Sequence, residues 1–113
     1  MNLLKRTKIQ VMNKKITEIR EVLSKNLYFE CEICFVRGSY TTNKQRTDSD
    51  IDLLIISNDF CGISFWKRRD LVKKAVEEAG KEVDAICLST DEYQQLLNQK
   101  REMIESERMV RII

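Results

Sequence analysis

The chain has 113 residues, with 20 Lys and Arg against 18 Asp and Glu, four Cys, three Gly, and neither Pro nor His. Without His there is no imidazole general base, no Ser–His or Cys–His pair and no His-ligated metal, so any chemistry must rest on carboxylates, hydroxyls, thiols, Lys, Arg or backbone amides. A formal charge of +2 is too small to argue for nucleic acid or a membrane surface as partner, and a 42% apolar share with mixed charges argues against disorder.

From about residue 9, apolar residues recur at Ile9, Met12, Ile16, Ile19 and Leu23, a helical stripe with charged residues around it. Residues 28–36, YFECEICFV, are rich in aromatic and β-branched residues and predict a strand, ended by Arg37-Gly38-Ser39. A polar stretch from Tyr40 to Ser49 leads into a second strand from Asp50 to Ile56, whose later half is apolar on both sides, as in a buried strand. Asn58 to Ser64 reads as a loop. Phe65 to Ala79 reads as a helix with Phe65, Val72, Val76 and Ala79 on one side and Gly80 as its stop. Glu82 to Leu88 is a third strand. Ser89 with Glu92 forms a capping box for a last helix carrying Tyr93, Leu96, Leu97, Lys100, Met103 and Ile104. Met109 to Ile113 closes the chain as a short strand.

This alternation predicts an α/β (α+β) domain, with helices packed on a sheet. There is no linker, repeat or low-complexity run, so residues 1–113 are expected to form one domain, and about two-thirds of the unfolded surface can be buried at this size. No apolar run reaches the length of a membrane span, and the N-terminus lacks the apolar core and cleavage site of a secretory signal. Four Cys in such a chain read as reduced thiols, which makes the cytoplasm the expected location.

The informative segment is Gly38-Ser39, ten residues, then Asp50-Ile51-Asp52-Leu53. Two Asp at i and i+2 on a strand point to one face, because the side-chain period is two. Carboxylates held that close repel one another unless a cation lies between them, and an all-oxygen site favours a hard cation such as Mg²⁺. Gly-Ser directly after a strand can offer free backbone amides, a hydroxyl and a helix N-terminus, which suits phosphate. A third acid, Asp84, sits within the next strand, where a charge is otherwise hard to justify. Three carboxylates beside a phosphate cradle are the equipment of metal-assisted transfer at phosphorus. Against this, a Gly-Ser turn is often only a turn and an Asp at a strand start is often a solvated end-marker. At ordinary residue usage the Gly-Ser and Asp-x-Asp pair would arise by chance in about one chain in a hundred of this length.

As a set, Gly38, Ser39, Asp50, Asp52 and Asp84 resemble the signature of the polymerase-β-type nucleotidyltransferase superfamily, and most of all its minimal, single-domain members. The resemblance spans nearly the whole chain. It implies a mixed β-sheet flanked by helices, with an NTP, usually ATP, as substrate and Mg²⁺ as cofactor. By the same resemblance Gly38 and Ser39 hold the β- and γ-phosphates, Asp50 and Asp52 ligate metal, and Asp84 completes the site and assists deprotonation of an acceptor hydroxyl. A nucleoside monophosphate, usually AMP, is then transferred to a hydroxyl of a protein or small-molecule acceptor. Many such members are encoded beside a helical HEPN protein, and some are antitoxins that adenylylate it. The chain departs from the family's common continuation Gly-Ser-x-Ala-Arg-Gly, because Tyr40-Thr41-Thr42-Asn43-Lys44 follows Ser39. That departure motivates an alternative, a weak or inactive subunit of the same fold that binds a helical partner. So small a chain has no obvious acceptor-binding part, and a homo- or hetero-oligomer is expected.

Other features have plainer readings. On a strand, Cys31 and Cys34 would face opposite sides and could not chelate one ion, so both read as structural thiols. The run Asp48-Ser49-Asp50-Ile51-Asp52 fails as a calcium loop because Leu53 stands where Gly is needed. An Asp-x-Asp of the glycosyltransferase kind belongs to much larger domains. Lys67, Arg68, Arg69, Lys73 and Lys74 are interleaved with Asp70, Glu77 and Glu78, which favours a solvated helix face over a nucleic-acid patch. Phe60 and Trp66 read equally as core or as a partner-docking edge.

Overall fold

The computed structural model describes residues 8–37, 51–106 and 109–113, with side chains described for 14–37, 51–99 and 109–113. In chain order the elements are helix α1 (Lys8–Lys25), strands β1 (Ile33–Arg37) and β2 (Ile51–Ile56), helix α2 (Phe65–Glu77), strand β3 (Val83–Leu88), helix α3 (Thr90–Ser106) and strand β4 (Met109–Arg111). A single 3₁₀ turn, Asn58–Phe60, stands where the sequence reads as a loop.

The strands form one mixed sheet in the order β3-β2-β1-β4. β2 runs parallel to β3, as a helical crossover through α2 requires, and β1 is antiparallel to both β2 and β4. The alternating side-chain period gives the sheet two faces. One carries Cys34, Val36, Ile51, Leu53, Ile55, Ala85 and Cys87, and α1 and α2 cover it with Ile19, Leu23, Val72, Ala75 and Val76 in one continuous core. The opposite face carries Phe35, whose ring lies 6.3 Å from that of Tyr93 on α3. β2 is buried on both faces, which is why its sequence is an unbroken apolar run after Asp52. Among the described residues no helix is long and apolar enough to cross a membrane.

Gly80 terminates α2 as expected, but the helical stretch ends at Glu77. Gly80 has φ +68°, its amide bonds to the Glu77 carbonyl, and the Lys81 amide reaches back to the Val76 carbonyl. This is a Schellman closure, which calls for a left-handed residue at that position. Ala79 is exposed, and the buried stripe of α2 is Arg68, Val72, Ala75 and Val76.

β1 is shorter than the 28–36 expected. The Asn26 side chain accepts the amides of Tyr28 (2.9 Å) and Phe29 (3.1 Å), and Asp59 accepts that of Glu30 (2.8 Å), so these donors are taken before they can join a ladder. Cys31 therefore precedes the strand and packs against the same core as Cys34; the two do not lie on opposite faces. The Cys31 thiol and burial together push the Cys34 thiol far up, and burial pushes Cys87 up to about 12. All four cysteines are free. Met109–Arg111 forms the closing strand, and Ile112 and Ile113 continue its bonding to Cys34.

Candidate active site

Gly38, Ser39 and Asp50 lie outside the described residues, as do Tyr40 to Ser49. Asp52 and Asp84 are described, and the sheet brings them together. They are register partners on the parallel strands β2 and β3. Neighbouring strands lie about 4.8 Å apart, and partners in register project to the same face, so two carboxylates stand side by side. Leu54 with Ile86 and Ile56 with Leu88 continue the same rows toward the strand ends. The Asp pair thus marks the point where an otherwise apolar face turns charged.

Asp52 is half-buried, whereas the Asp84 side chain is 61% exposed on the edge strand. Arg69 of α2 donates to Asp84 Oδ1 at 3.4 Å and so sets a positive charge beside the pair. This side chain belongs to the basic helix, where Arg68 is also paired with Glu92 and Lys74 with Asp70. The solvated-face reading of that helix therefore needs one amendment, since Arg68 is buried.

Arg68 lies on the stripe of α2, three residues after Phe65 and four before Val72, and is 4% exposed. Its guanidinium donates to both Glu92 oxygens and to the Cys87 and Ile63 carbonyls, and stacks 4.5 Å from the centre of the Phe65 ring. Glu92 also accepts the Ser89 amide at 2.7 Å, while Ser89 Oγ accepts the Glu92 amide at 3.2 Å, which is the capping box expected at the start of α3. The Arg68 guanidinium holds the Glu92 carboxyl below its usual 4.5. One ion pair thus ties α2, the end of β3 and α3 together, at the opposite end of β3 from Asp84. The signal for it in the sequence is a charged residue on an apolar helix stripe, which requires a partner in the core.

Two aligned carboxylates offer hard oxygen donors only, which fits an oxygen-seeking divalent cation. Among the described residues no three acidic or thiol side chains converge on one point, so any third donor must come from outside them.

The chain matches the family model described as polymerase beta, nucleotidyltransferase, over residues 17–109. The chain belongs to the polymerase-β nucleotidyltransferase family. The mixed sheet and flanking helices inferred from the resemblance are those of the family fold. A solved structure of a Sulfolobus solfataricus protein assigned as a nucleotidyltransferase aligns with a TM-score of 0.59 and 18% identity, covering 83% of this chain and 85% of that one. A mutant of the toxin–antitoxin complex MntA–HpeT aligns with a TM-score of 0.43 and 18% identity, over 87% and 70% of the two chains. No curated protein matches the sequence.

Proposed function

We propose that this nucleotidyltransferase-family chain transfers a nucleoside monophosphate, AMP from ATP, to a hydroxyl of a protein or small-molecule acceptor in a Mg²⁺-dependent reaction. The observation that carries the reading is the in-register pair Asp52 and Asp84 on adjacent parallel strands. Asp50, two residues before Asp52 in the sequence, would supply the third carboxylate, and together the three would hold the metal. Bound there, Mg²⁺ supplies charge neutralisation for the triphosphate and for the departing pyrophosphate.

The chain's own residues then have separable tasks. Gly38 and Ser39 present amides and a hydroxyl to the β- and γ-phosphates. Asp84 accepts the proton of the attacking hydroxyl as its oxygen bonds to the α-phosphorus and the bond to pyrophosphate breaks. Arg69 holds the Asp84 carboxylate through an exposed contact that a stronger cation would displace.

The resemblance to minimal nucleotidyltransferases suggests a helical HEPN-type protein as acceptor or binding partner, with the chain acting as antitoxin. The four free thiols support a reducing, cytoplasmic setting for the reaction. The loop Tyr40-Thr41-Thr42-Asn43-Lys44, in place of the family's common Ala-Arg-Gly continuation, favours a second reading in which the chain binds that partner without catalysis. ATP labelled on its α-phosphate, incubated with Mg²⁺ and a candidate helical HEPN-type protein, separates the two. Label on the partner, lost with Asp52→Asn, supports transfer; a stable complex without label supports binding alone.

A further inference from the structure

β3 is an edge strand, paired with β2 on one side and with no described strand on the other. The Ser57 amide bonds to the Leu88 carbonyl, so Leu88, Ile86 and Asp84 direct their peptide groups toward β2. Val83, Ala85 and Cys87 direct theirs outward. Arg68 takes the Cys87 carbonyl, and the Val83 and Ala85 groups have no partner among the described residues. An open row of this kind is a template for another strand.

A groove of about 620 Å³ runs along this edge beneath α2, lined by Trp66, Arg69, Lys73, Glu77, Glu82 and Val83 among others. Trp66 is 73% exposed, and Ile86 on the other face of the edge is 45% exposed. Arg69, Asp70 and Lys81 at the groove each have an ion-pair partner within the chain. Lys73, Glu77 and Glu82 have none among the described residues.

We propose that this edge and groove are a two-fold interface between two copies of the chain, with β3 pairing antiparallel to its symmetry mate about Ala85. The unpaired charges of the groove are of both signs, so the surface is complementary to itself, as an isologous contact requires. Lys73 of each copy meets the acids Glu77 and Glu82 of the other. The register follows from repulsion. A two-fold at Asp84 would set like charges directly opposite, whereas one at Ala85 sets Asp84 opposite Ile86 and aligns Val83 with Cys87, whose carbonyl has a second lone pair beside the one Arg68 takes. A second copy also brings a strand that is already ordered, avoiding the entropy an unstructured peptide would lose on docking. Trp66 is covered in the same contact, which explains an exposed indole beside an open edge.

The interface takes in Asp84 and Arg69 at its edge, but its formation is tested without nucleotide. Sedimentation equilibrium on the full chain should show a reversible dimer. Lys73→Glu, on the exposed face of α2, should weaken it about tenfold by setting acids against acids. Adding Glu77→Lys and Glu82→Lys to that variant inverts the three unpaired charges of the groove and should restore the dimer. Amide exchange at Val83 and Ala85 should slow as protein concentration rises. A monomer at every concentration, a dimer indifferent to the charge reversals, or Val83 and Ala85 amides that exchange at one rate throughout would each overturn the proposal.

Discussion

Glu92→Gln isolates the buried ion pair, because the side chain keeps its shape and loses only its charge and one acceptor. In the native site Oε1 takes the Ser89 amide and Arg68 Nη1, while Oε2 takes Arg68 Nη2. Gln can keep the first two bonds, but its amide nitrogen then faces the second guanidinium donor. Arg68 is 4% exposed, so its charge is left in the core without a counter-charge, with the Gln oxygen, two carbonyls and the Phe60 and Phe65 rings around it. Breaking a fully buried pair costs about 3–5 kcal/mol; Glu92 keeps 34% of its side-chain surface, which lowers the expected loss to about 2 kcal/mol. At this chain length that is a fall of about 8 °C in Tm. The pH dependence has a definite sign. The folded carboxyl titrates below its ordinary 4.5, so the pair stabilises the fold above that value and its contribution fades as pH falls through the lower, folded-state value. Denaturant unfolding of wild type and variant at neutral pH and then in steps below 4.5 should show the difference shrinking. A loss under about 0.5 kcal/mol at neutral pH, or a difference that grows on acidification, would refute the reasoning.

Two further outcomes follow from the packing. Gly80→Ala meets no atom within 4 Å of its new Cβ, so its cost is purely that of a left-handed alanine, about 1 kcal/mol by denaturant unfolding. Alkylation under native conditions should modify exposed Cys61 first and leave Cys34 and Cys87 untouched, since burial raises both thiols; mass spectrometry of the labelled peptides reads this directly.

The elements most legible in the sequence are those whose cause is local. The apolar run of β2, the capping box of Ser89 with Glu92 and the Gly80 stop each depend on residues within a few positions of one another, and the structure has all three. The start of β1 was hidden because Asn26 and Asp59 take its donors through side chains, one of them from a distant turn. The aromatic pair at the turn divided according to burial, with Phe60 packed 5.0 Å from Phe29 and Trp66 left outside. Alternation placed Asp52 on a strand face and put Asp84 within the following strand. Only the β2–β3 register, set by tertiary packing, could bring the two side by side. The burial of Arg68 depends in the same way on Glu92, 24 residues away.

The central claim is that the aligned carboxylates serve a metal-bound nucleoside triphosphate. Isothermal titration of the wild-type chain and of Asp52→Asn with ATP in the presence and absence of Mg²⁺ tests it most directly. The account predicts Mg²⁺-dependent ATP binding by wild type that weakens by about tenfold or more in the variant, the equivalent of roughly 1.4 kcal/mol from one lost charged ligand. Absence of MgATP binding, with wild type and Asp52→Asn indistinguishable, would contradict it.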